Sequence, residues 1–256
     1  MLRTITAMRY VTPLREGGSL PAIVEADDGQ LYVLKFCGAG QGPKALIAEL
    51  VAGELARALD LPVPEIVLAH LDPALGRSEP DPEIQDLIKA SAGLNLALAY
   101  LPGAFAFDPL LYPLEPELAS AIVWFDSYVT NVDRTPRNTN ILVSQGQPWL
   151  IDHGASLYFH HNWNDYRARS RSRFPQIKEH VLLPAASELP AADAALSTRL
   201  TPAVIEKIVG LIPASWLEDE TTFASQADHR AAYAAYLRQR VAAPREFVEE
   251  AMRVRA

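Results

Sequence analysis

Alternating apolar and polar residues crowd into the first 103 of this chain's 256 residues, and little of that pattern returns later. A period of two marks a strand, whereas 3.6 marks a helix. "TITAMRYV" (Thr4 to Val11), "AIVEA" (Ala22 to Ala26) and "LYVLKF" (Leu31 to Phe36) follow the strand period. Asp27–Asp28–Gly29 between the last two is a tight-turn signal, so the three predict an antiparallel meander. "KALIAELVAGELARALDL" (Lys44 to Leu61) instead sets Leu46, Ile47, Leu50, Val51, Leu55, Ala58 and Leu59 on one broad helical face. The prolines of "LPVP" stop that helix, and further strands are expected within 61–71 and 94–103. Beyond this, Pro116 to Asn131 predicts a helix, and "ILV" and "WLI" bracket a hairpin turn. Helices are also expected over Thr201 to Ile212, Ser225 to Val241 and Pro244 to Arg255. The reading is an α+β chain with a strand-rich lobe over 1–103 and a mainly helical lobe over 104–256.

Composition narrows the classes of function. Apolar residues make up 49% of the chain, enough for a substantial core. A net charge of −8 argues against a nucleic-acid partner, since such binders are usually basic. Cys37 is the single cysteine, so no internal disulfide forms, as suits a reducing cytoplasm. No signal-peptide core and no run near ~18 apolar residues is present, so no membrane association is expected.

The polar stretch "NVDRTPRNTNILV" (Asn131 to Val143) carries the chemistry. Asp133, at the head of a loop, is placed to orient and deprotonate a hydroxyl. Asn138 and Asn140 follow it, and amide oxygens are hard ligands suited to Mg2+. Asp152 in "WLIDHGAS" is a second carboxylate, at a strand end before His153 and Gly154. Aspartate and asparagine also form turns, but the four together around a hairpin exceed what turns require. Upstream, Gly17, Gly18 and Ser19 of "REGGS" offer backbone N–H groups that can approach phosphate oxygens. Lys35 lies among apolar neighbours in "YVLK" and needs an anionic partner there, either a phosphate or a glutamate of the next helix.

"YVLK", a helix with glutamates, "VDRTPRN" and "LIDHG", in this order, resemble a protein-kinase-like fold. More closely, the chain resembles the HipA-like kinases in a short form, over roughly Thr4 to Trp163. The resemblance implies a bilobal protein-kinase-like fold, with an antiparallel-sheet lobe and a mainly helical lobe. It implies ATP and Mg2+ as cofactors, Asp133 as catalytic base, Lys35 on the α/β-phosphates and Asp152 as a metal ligand. Asn138 has the kinase spacing from the base, while Asn140 lies directly before the strand; both are kept as metal ligands. Glu49 matches the placement of the Lys-pairing glutamate, although Glu54 falls within the apolar stripe. Tyr100 and Leu101 of "AYLPG" stand where backbone groups would meet adenine. Asn131 replaces the loop histidine of kinases, and His153 the Phe of Asp-Phe-Gly.

Two further stretches fit less specifically. The arginines of "YRARSRSRF" (Tyr166 to Phe174) suit an activation segment meeting an acidic substrate, or a solvated loop. "FHHNW" (Phe159 to Trp163) lacks zinc spacing and is read as structural or peptide-binding. The implied activity is transfer of the γ-phosphoryl group of ATP to a hydroxyl, with a protein serine or threonine as acceptor and Ser19 as an autophosphorylation candidate. A toxin–antitoxin setting with an antitoxin-type partner comes with the resemblance; the residues themselves do not name one. A small-molecule kinase, a nucleotide-binding pseudokinase and a hydrolase using Asp133 and Asp152 are the rival readings.

Overall fold

The computed structural model describes residues 2–14 and 20–255. Strands β1 (Thr4–Pro13), β2 (Ala22–Ala26), β3 (Leu31–Lys35), β4 (Ile66–Leu71) and β5 (Gly93–Ala99) close into a barrel in the order β1-β2-β3-β5-β4. The β2–β3 hairpin turns at the expected place, where Gly29 takes a φ of 75°. Every pairing is antiparallel except one: β1 runs parallel to β4, with Ile5 opposite Ala69. The expected antiparallel sheet is therefore corrected to a closed barrel with one parallel seam. Helix α1 (Pro43–Ala58) separates β3 from β4 and lets the chain return beside β1 in the same direction. Closure leaves no unpaired edge strand in this sheet.

Alternate residues fill the barrel, among them Ala7, Ala22, Val24, Leu34, Val67 and Ala97. Small side chains suit so narrow an interior. The outward residues Ile66, Leu96 and Leu98 are buried too, because α1 lies against that face. Burial on both faces explains the near-continuous apolar run of β5. Helix α1 comes close at Gly53, where an added Cβ would lie 2.4 Å from Ile66 Cδ1.

Short helix α2 (Pro82–Ala90) caps the barrel through Ile84 and Ile88. The chain then changes character. Helix α3 (Pro116–Val129) is buried along most of its length and ends on Thr130 at φ 55°. Strands β6 (Phe105–Ala106), β7 (Ile141–Ser144) and β8 (Gln147–Leu150) form a small antiparallel sheet, with the β7–β8 hairpin as expected. Helices α4 (Tyr166–Arg169), α5 (Leu189–Arg199), α6 (Pro202–Val209), α7 (Gln226–Val241) and α8 (Glu246–Arg255) complete the chain. Of these α4 and α5 escape sequence reading: α4 is a four-residue turn, and "LPAADAALSTR" has no apolar stripe. One buried cluster runs continuously from α1 and the outer face of β4 and β5 to α8. No described helix is long and apolar enough to cross a membrane.

Candidate active site

Lys35 ends β3 opposite Leu96, on the face that turns toward α1. Its Nζ lies 2.5 Å from Asp152 Oδ1 and 3.5 Å from Glu49 Oε2. Burial opposes a charge on Lys35, but the two carboxylates outweigh it and raise the pKa above the usual lysine value. Burial likewise works against the Glu49 anion; Lys35 and then His153 overcome it, and the Glu49 pKa is lowered to about 2. Glu49 is 1% exposed. Glu54 instead pairs with Arg57 at 3.3 Å, so the helix partner of Lys35 is Glu49. His153 is fully buried, edge-on to Phe125, with Nδ1 3.7 Å from Glu49 Oε1. The sharp turn at this point belongs to Asp152, whose φ is 55°, and not to Gly154. Aspartate tolerates that conformation better than most residues. It leaves the Asp152 side chain 39% exposed, the only open member of the ionic group.

The second half of the site is the loop between α3 and β7. Asp133 Oδ2 accepts hydrogen bonds from Asn138 Nδ2 at 2.8 Å and Asn140 Nδ2 at 3.2 Å. Asn140 Nδ2 also reaches the Asp133 carbonyl, at 3.2 Å. Asn138 is exposed in a turn closed by reciprocal backbone bonds with Thr135. Asn140 is 7% exposed and its carbonyl accepts the Ile151 N–H at 3.0 Å. That bond extends the β7–β8 ladder past Ile141–Leu150, and it brings Asn140 beside the residue preceding Asp152. No hydrogen bond among the described residues engages Asn140 Oδ1. Asn131, in the place of the kinase histidine, shapes the loop: its Oδ1 accepts the Asp133 N–H at 3.1 Å.

The strand end of the barrel supplies backbone groups. Tyr100 N–H is spent on Leu31, whereas the Leu101 N–H makes no hydrogen bond among the described residues. Gly17, Gly18 and Ser19 lie outside the described residues. His160 and Trp163 of "FHHNW" are buried in an aromatic cluster with Tyr233, and His160 Nδ1 lies 3.0 Å from Tyr233 Oη. In the arginine-rich stretch Arg173 pairs with Glu246 at 3.2 Å, and Arg169 donates to the Phe159 and Asn162 carbonyls.

Sequence reasoning missed Asp126, Arg134 and His180, which meet beneath the loop. A signal for the first was present: an acid inside the apolar helix "AIVWFDSYV" needs a buried partner.

Among the described residues no three His, Cys, Asp or Glu side chains cluster as a metal site. An oxygen set of Asp152 with an asparagine amide still suits Mg2+, which takes few protein ligands and keeps phosphate oxygens and water.

The structure resembles that of the Helicobacter pylori proinflammatory kinase CtkA, at 16% identity and a TM-score of 0.59, covering 98% of this chain and 99% of that one. Two structures of the Golgi casein kinase, one with Mn/ADP bound, align at 10% and 11% identity and TM-scores of 0.49 and 0.47. They cover 100% and 97% of this chain and 75% and 73% of theirs. No curated protein matches the sequence. The fold is thus that of a kinase, and the HipA-like kinase pattern matches residues 8–248. The chain belongs to the HipA-like kinase family.

Proposed function

We propose that this kinase transfers the γ-phosphoryl group of Mg2+-ATP to the hydroxyl of a serine or threonine in a protein, in the cytoplasm. The observation that carries the reading is the Lys35–Glu49–Asp152 group. A cation is fixed by one buried and one half-open carboxylate, and only the latter is free to exchange partners. ATP would lie between the strand-rich lobe, 1–103, and the helical lobe, 104–256, with adenine against Tyr100 and Leu101.

Lys35, kept charged by Glu49, binds the α/β-phosphates. Asp152 and Asn140 would hold Mg2+, which supplies charge neutralisation on the phosphates when bound. Asn140 is favoured over Asn138 because it is buried and lies beside the Asp152 segment. Asp133, gripped by both amides, orients the acceptor hydroxyl and accepts its proton. Positioning and charge account for most of the rate. The protein acceptor rests on family resemblance alone.

The test is transfer of label from γ-labelled ATP with Mg2+, followed by identification of the labelled amino acid. Asp133→Ala is expected to lose transfer by at least about 100-fold while nucleotide affinity stays near wild type. Equal transfer in Asp133→Ala and wild type removes Asp133 as the base, and a wild type that transfers no label ends the kinase reading. Label released only to water favours a hydrolase.

A further inference from the structure

We propose that Asp126, Arg134 and His180 form a positioning network that holds Asp133 and Asn140 in working register, with Arg134 at its centre. The proposal deepens the kinase reading and rests on it for the roles of Asp133 and Asn140.

Asp126 lies in the last turn of α3, and its side chain has no exposed surface. Its Oδ2 accepts Arg134 Nε at 2.6 Å and His180 Nε2 at 2.9 Å, and its Oδ1 accepts Asn131 Nδ2 at 3.0 Å. The Asp126 carbonyl also accepts the Asn131 N–H at 2.9 Å. One residue therefore anchors the chain on both sides of Asp133: Asn131 before it and Arg134 after it. Asn131 passes the restraint on through its bond to the Asp133 N–H. Arg134 passes it to the far end of the loop by donating an Nη1 hydrogen bond to the Asn140 carbonyl, the same carbonyl that joins Ile151. Arg134 spans, in one rigid fork, from the helix that starts the loop to the residue that ends it.

His180 completes the set as a neutral donor. Its Nδ1 accepts the Leu182 N–H at 3.1 Å, so the proton sits on Nε2 and points at Asp126. Burial holds its pKa below the ordinary value against the pull of Asp126. The Asp126 carboxylate is disfavoured by burial, yet Arg134 and His180 hold its pKa well below the usual range. A buried ion pair is a weak source of stability, because apolar side chains of equal volume often do as well. What apolar residues cannot do is fix the Asn140 carbonyl and the Asn131 amide at set distances. The geometry points to shape, not to stability, as the network's task.

The variants are Arg134→Met, Arg134→Lys and Asp126→Asn. The readouts are hydrogen–deuterium exchange over 130–141, kcat, and KM for ATP. For Arg134→Met, exchange in the loop is expected to rise at least about tenfold with α7 unchanged. kcat is expected to fall about 100-fold, with KM for ATP within about threefold, since a displacement near 1 Å costs that much. Arg134→Lys keeps the charge but cannot reach Asp126 and Asn140 together, so it falls between. Wild-type kcat and wild-type loop exchange in Arg134→Met overturn the proposal. Should Arg134→Met not fold, Arg134→Lys and Asp126→Asn decide on the same two readouts. A wild-type protein that transfers no phosphoryl group defeats the kinase reading only; the exchange result still judges the network.

Discussion

Replacing Glu49 by glutamine isolates the charge that fixes Lys35. The ordinary glutamate pKa is 4.5 and that of Glu49 is lowered to about 2. The difference of about 2.5, at about 1.4 kcal/mol each, gives roughly 3 to 4 kcal/mol of stability carried by the Glu49 anion. The side chain is 2% exposed, so solvent screening takes little from this figure. Because the folded pKa lies below the unfolded one, the contribution is complete above about pH 4.5. It is lost as the pH falls through about 2. Glutamine matches the shape of protonated glutamic acid. Glu49→Gln should therefore be about 3 to 4 kcal/mol less stable than wild type at pH 7, with the gap closing between about pH 4.5 and 2. Urea unfolding at stepped pH measures this, and the carboxylates remote from Lys35 cancel in the difference. Two parallel stability curves across that range would show that Lys35 does not hold the Glu49 charge, and the ionic group would lose its claim to organise the site.

Two further outcomes follow from the geometry. Asn140→Ala should cut kcat at least about 100-fold and weaken Mg2+-dependent nucleotide binding, whereas Asn138→Ala should cost only a few-fold. Equal losses measured in parallel steady-state assays would reverse that assignment. Gly53→Ala, whose Cβ would meet Ile66 Cδ1 at 2.4 Å, should destabilise the protein by about 1–3 kcal/mol in thermal unfolding, moderated by the flexible tip of Ile66. Gly53→Ala combined with Ile66→Val should recover part of the loss.

The order of the site residues could be read from the chain, but several choices between neighbours could not. The apolar stripe of α1 pointed to Glu54 as the buried acid. The helix is buried from Leu46 to Ala56 almost all round, however, so it has no polar face on which to set Glu49 aside. Only the partners separate the two, Lys35 for one and Arg57 for the other. Barrel closure was equally hidden. Period-two alternation says that a segment is a strand, not that β1 returns beside β4 with its direction shared. Asp126 and His180 are 54 positions apart, and no local pattern joins them. Asp152 takes a φ of 55°, which nothing in "WLIDHGAS" foretells.

The loop's three asparagines also resolve into three tasks once their partners are known. A turn needs short polar side chains anywhere; this loop has each at one place. Asn131 is buried and joins Asp126 to the Asp133 N–H. Asn138 is exposed and covers the Asp133 carboxylate from the turn. Asn140, at φ 47°, holds the Asp133 carbonyl and carboxylate with its amide nitrogen while its own carbonyl joins Arg134 and Ile151. Asparagine is among the few residues other than glycine that accept this backbone conformation readily, and it alone adds an amide that donates to Asp133 with one end and offers an oxygen at the other. Aspartate at 140 would keep the backbone but set a second anion against Asp133, and glycine would keep the backbone and lose both functions. Asn140 is the loop position where backbone geometry and chemistry demand the same side chain.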